Sequence, residues 1–166
     1  MSRLVQAVDQ IVQARKYTLW LLENIDPKDW FRPAPANLTH IAWQVGHLAM
    51  AEYRLALDRM RGIKPEDAQI ISAAFLKQFG KDSVPDMTPA KYPGVEEIKT
   101  VLNRVHQQTL HEMKTLPEQE LDAPPLKPHP LFTTKLGSLF WCARHEMLHA
   151  GQIGLLRRLL GYKPIW

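Results

Sequence analysis

The chain has little that would tie it to an oxidising compartment or to a bilayer. Among its 166 residues there is one cysteine, Cys142, so no internal disulfide can form and a reducing cytoplasm is the expected setting. No apolar run approaches the roughly 18 residues that a membrane-crossing helix needs. The opening stretch, MSRLVQAVDQIVQ, carries polar residues too often to be a signal-peptide core. We therefore expect a soluble protein with no membrane partner. One-signed charge is also missing: 21 Lys and Arg stand against 17 Asp and Glu, a net +4. That excess is small and scattered, unlike the concentrated basic face of a nucleic-acid binder, so a small molecule is the expected partner. Strand-like alternation, internal repeats and low-complexity segments are absent as well.

What is present is helical periodicity. Leu4, Val8, Ile11, Val12, Leu19 and Leu22 form one stripe at three- and four-residue intervals, and Asp26 and Pro27 should end that helix. A proline-rich loop leads to a second helix, capped at Asn37 or Thr39 and stopped by Gly62, with Arg59 and Arg61 in its last turn. A lesser helix fits between Pro65 and Gly80. The third long helix reads VEEIKTVLNRVHQQTLHEMKTL. The fourth opens near Thr133 or Thr134 and runs to Leu160. Between them, LDAPPLKPHPLF is too rich in proline to be helical. Four long amphipathic helices in a chain of this size imply an all-α fold, a four-helix bundle in one domain spanning residues 1–166. The long connections allow crossovers.

The fourth helix contains HEMLHAGQI, with His145 and His149 one turn apart on one face. At that spacing two imidazoles can turn toward one cation, although such pairs also occur on solvated faces. His47, in the apolar IAWQVGHLA, is a third candidate. His47 and His145 sit at similar depths, so an up-down-up-down path with helices two and four parallel would bring all three rings together inside the bundle. Trp43 and Trp141 each precede a candidate ligand by one turn, and Gln44 and Gln152 lie three residues from one, placed to act as donors around it. The remaining groups read as ordinary. His40 lies too near the helix end to be a ligand, His106 and His111 read as solvated, and His129 falls in a loop. Glu52 reads as a surface carboxylate and Cys142 as a small buried hydrophobe.

NLTHIAWQVGHLAMAE followed by HEMLHAGQIGLLRRLLG resembles the DinB-like (DinB/YfiT) superfamily, in which a histidine in a GHL helix accompanies a late HxxxHxGQI helix. The resemblance covers essentially the whole chain. It implies a four-helix bundle of order 1-2-4-3, and a divalent metal, nickel or zinc foremost and iron or manganese next, held by His47, His145 and His149 with open positions. It also implies a metal-dependent enzyme, a transferase or isomerase using a low-molecular-weight thiol, or a hydrolase, and it implies a homodimer. The alternative is a metal-binding stress or scaffold protein without catalysis.

Overall fold

The computed structural model describes residues 2–35 and 38–165. Its helices are α1 (Arg3–Leu22), α2 (Ile41–Glu52), a short α3 (Ala73–Gln78), α4 (Val95–Met113) and α5 (Lys135–Leu159). Among the described residues there are no strands, only an isolated bridge between His129 and Phe132. The fold is all-α, as the periodicity predicts.

Local chemistry sets the helix ends. The Ser2 side chain accepts from Val5 N at the start of α1, and Thr134 does the same from Gly137 N at the start of α5. α1 stops at Leu22, before Asp26 and Pro27, because Asn24 turns the chain with φ 60°, a conformation that asparagine tolerates. α2 is capped by neither expected residue. Asn37 lies outside the described residues. Thr39 precedes the cap, and His40 takes the role, its Nδ1 accepting from Trp43 N at 3.1 Å. Beyond Glu52 the chain winds as a π-helix over Tyr53–Asp58, then returns to α over Arg59–Arg61 and ends at Gly62 with φ 84°. Nothing in the residue spacing foretold that π segment.

The packing corrects two expectations about topology. α5 lies against both α1 and α2, and α2 against α4, so the order around the bundle is first, last, second, third instead of 1-2-4-3. Helices two and four are neighbours as expected, but they run antiparallel, not parallel. His47 faces His145 and His149, whereas eight residues further along α2 the Leu55 carbonyl accepts from Ser138 Oγ at 2.7 Å, near the start of α5. α1 runs parallel to α5, with Arg15 on Glu146 and Arg157 Nη1 on the Leu21 carbonyl. α4 runs parallel to α2, with His106 on Glu52 and Arg61 on Glu112. The path is up, down, down, up. The long stretch 62–94 is what lets the chain return and lay α4 beside α2 in the same direction.

The core falls into two apolar clusters. One gathers Leu21, Trp30, Ile41, Phe79, Ile98 and Ile153; the other gathers Ile11, Leu55, Met60, Leu121, Phe132 and Leu139. Burying each large side chain contributes about 1.5–3 kcal/mol. Between the clusters, in sequence and in space, sits a charged layer built on Arg15. Its guanidinium donates to Glu52 and Glu146, each at 2.7 Å, and to the Leu102 carbonyl at 3.1 Å. His106 closes the layer through Nδ1 on Glu52 at 2.9 Å. Glu52 and His106 are therefore both buried. That overturns the reading of one as a surface carboxylate and the other as solvated: each has a partner contributed by another helix.

Candidate metal site

Because α2 and α5 cross near the middle of α5, His47 arrives opposite His145 and His149. One potential ligand nitrogen from each of the three lies within 4.8 Å of the others. Ring centroids are 5.3 Å apart for His47 and His145, 4.7 Å for His47 and His149, and 4.6 Å for His145 and His149. The three rings therefore meet at the depths expected of them, but with the two helices antiparallel. Both segments lie far enough from their ends to meet in either sense.

Neighbouring groups fix which nitrogens remain available. His47 Nδ1 lies 2.8 Å from the Phe79 carbonyl, which only accepts, so Nδ1 carries the proton and Nε2 is left as the ligand atom. Gly46 makes this possible, since a Cβ there would overlap the Phe79 ring. His149 Nδ1 bonds to Gln44 Oε1, while Gln44 Nε2 donates to Thr39 Oγ1 at 3.0 Å. Gln44 thus acts as an acceptor toward the ring, the reverse of its expected role. Gln152 is exposed. Trp43 stacks on His47 with centroids 4.8 Å apart and planes at 16°, and it is anchored by Nε1 on Ser83. Trp141 stands 6.3 Å from His145 at 57°, and His129 stands 6.3 Å from Trp141. His129 thereby reaches the rim of the site, although its sequence position in a loop gave no sign of it.

Burial, and then the nearness of the other imidazoles, pulls His145 down to about 4 and His149 down to about 3. Burial lowers His47 too. All three rings are neutral at pH 7, the form that ligates. This donor set fits a divalent cation: borderline-soft neutral nitrogens, two with fixed tautomers, needing to close only modestly to the spacing of about 3.4 Å set by bonds of about 2.0–2.1 Å. Among the described residues no carboxylate, cysteine or further histidine joins them, so the protein offers three ligands and no fourth.

Other residues fall outside the cluster. His40 is committed to capping α2 and to the Asp86 carbonyl at 3.1 Å. His111 is exposed. Cys142 is buried, and burial pushes its thiol well above the usual range. Glu146 is the informative exception. HEMLH has the His-Glu-x-x-His spacing in which a zinc peptidase uses the glutamate as base. Here Glu146 turns to the opposite face of α5, where Arg15 takes both its oxygens at 2.7 and 3.1 Å.

The family model of the DinB superfamily matches residues 10–153. The chain belongs to the DinB superfamily. The match takes in α2 and all three histidines, and it stops within α5 just past His149. No curated protein matches the chain. Among the described residues no helix is long and apolar enough to cross a membrane.

Proposed function

We propose that this DinB superfamily chain is a metal-dependent enzyme that binds a divalent cation, nickel or zinc foremost, through His47, His145 and His149, and transfers or isomerises a small molecule with a low-molecular-weight thiol. The observation that carries this reading is the convergence of three neutral imidazoles with no fourth protein ligand beside them among the described residues. A structural zinc site would be expected to complete its shell with a fourth protein ligand. A cation held there would supply Lewis acidity at the positions the histidines leave vacant.

The chain's own residues set the limits of that chemistry. The Phe79 carbonyl and Gln44 hold His47 and His149 in orientation, and the Trp43 ring covers one face of His47 and limits water there. Glu52 and Glu146 are both spent on Arg15, so neither is free to act as a base at the histidines. A site without a carboxylate base suits a co-substrate that brings its own ionisable nucleophile, as a thiol does, better than glutamate-assisted hydrolysis. This is what favours the transferase or isomerase over the hydrolase.

The test uses protein purified without a histidine tag. Elemental analysis should find about one equivalent of metal per chain in the wild type. His149→Ala should lose most of it while far-UV circular dichroism stays unchanged; full occupancy in that variant would remove His149 from the ligand set. X-ray absorption on nickel-loaded protein with glutathione should add a sulfur scatterer. A shell that stays nitrogen and oxygen only would count against the thiol.

A further inference from the structure

Three seams of the helix ring are tightly packed, while the fourth, between α1 and α4, is barely in contact. There the two helices stand apart around a groove of about 1080 Å³, on the opposite side of the bundle from the three histidines. Val12, Leu19 and Leu102 give it apolar walls, Lys16 and Glu23 stand along it, and His106 lines it. Asn103, Gln107 and Lys99 line it too, and an apolar cleft between bundle helices with polar groups along it is the ordinary make-up of a small-molecule site.

The His106 side chain is only 9% exposed, and Glu52, which it meets through Nδ1, is 1% exposed. A carboxylate only accepts, so Nδ1 carries a proton; in the neutral form of the ring this tautomer presents Nε2 as a lone-pair acceptor. Nε2 has no hydrogen-bond partner among the described residues. The charge around it is also decided. Burial would push the Glu52 carboxyl up, but Arg15 and His106 outweigh this and hold it below the usual range. Arg15, with every donor nitrogen already bonded to Glu52, Glu146 or the Leu102 carbonyl, stands as one cation against two carboxylates. Lys16 and Lys99 line the groove beside Glu23, so its overall charge does not select the ligand; the uncommitted ring nitrogen does, favouring a molecule that donates a proton into a hydrogen bond.

We propose that the α1–α4 groove is a second ligand site, independent of the metal site, that takes a neutral phenol: an apolar ring between the helices and one O–H donated to His106 Nε2. A rigid aromatic body gives up little conformational entropy on entering such a cleft, and a phenolic O–H is a good donor to a buried imidazole.

The experiment is calorimetric titration of the full chain, at mildly alkaline pH, with 4-propylphenol and with its methyl ether, 4-propylanisole. The phenol should bind with saturable heat. The ether, alike in shape but without the O–H, should bind at least about tenfold more weakly, equivalent to about 1.4 kcal/mol. His106→Phe should weaken phenol binding by a similar factor, and His149→Ala should leave it unchanged. Equal affinity for phenol and ether, no phenol binding at millimolar concentration, or unaltered binding by a folded His106→Phe would each overturn the assignment. Loss of binding in His149→Ala would move the phenol to the metal site and overturn it as well. If His106→Phe does not fold, the phenol–ether comparison on the wild type decides alone.

Discussion

His145 and Glu146 are consecutive residues of α5, yet they serve opposite polar faces of the bundle. His47 and Glu52 divide α2 in the same way. On one face three neutral rings converge, two of them partly open to solvent, with Nδ1 of His47 and of His149 held and their Nε2 atoms uncommitted. On the other, Arg15, Glu52 and Glu146 form a sealed layer between two apolar clusters, in which each charged group meets a partner from another helix, and His106 bounds that layer on the side of the α1–α4 groove. The lesson is about saturation. A polar cluster satisfied from within the chain holds helices together, whereas one with donors left over is set up for something the chain does not itself contain.

Breaking the sealed layer should give the largest effect. Arg15→Met leaves two carboxylates buried without their cation, which should cost about 3–5 kcal/mol in urea unfolding. Replacing the set together, with Arg15→Met, Glu52→Leu and Glu146→Leu, should recover most of that loss, because buried charges that are removed as a group no longer need compensation. A cost for Arg15→Met no larger than that of an ordinary surface substitution would mean that the layer is not what joins the helices. His47→Ala, in contrast, should cost metal-free stability about 1–3 kcal/mol, the loss of one buried hydrogen bond to the Phe79 carbonyl.

A smaller effect sharpens the other side. Gln44→Leu removes the acceptor that orients His149 and replaces none of the proposed ligands. Loss of such an outer partner typically lowers metal affinity about 10–100-fold. Competition against a chromophoric chelator would measure it. Affinity within twofold of wild type would show that the His149 tautomer is set elsewhere.

The sequence carried the helices and the three histidines because both are local patterns: apolar periodicity within one segment, and a four-residue spacing on one face. Helix direction was not legible, because it depends on how the 62–94 stretch crosses the bundle, and no spacing inside α2 or α5 records that. The sealed layer was hidden for a related reason. Arg15 meets partners 37 and 131 residues away, and a charged residue on an amphipathic helix reads as solvated until its partner is brought to it. His129 reaches the rim of the metal site only through the fold of a proline-rich loop, which periodicity does not describe. Gly46 was visible within the GHL motif, but its purpose, making room for the Phe79 ring beside His47, was not.

The smallest effect separates the two faces by pH. His145 and His149 titrate in the folded protein at about 4 and about 3, against 6.5 for the free group. Below 6.5 the unfolded chain therefore takes up protons that the folded chain refuses, and unfolding is favoured. Metal-free protein should lose stability progressively as pH falls from 6.5 toward 4. The slope should be well under the limit of about 1.4 kcal/mol per unit per ring, since both rings are partly exposed and solvent screens them. Glu52 has the opposite relation to its free value: its folded carboxyl is lowered from 4.5. Its contribution is complete above 4.5 and is lost only as pH falls through its lower folded value. Between 6.5 and 4.5 the slope should thus belong to the histidines, His40, His47 and His129 adding to it because burial lowers each, and a His145→Gln, His149→Gln protein should show a clearly shallower slope in urea unfolding over that interval. A slope undiminished by the double substitution would place the titrating groups elsewhere and dissolve the contrast between a neutral face and a charged one.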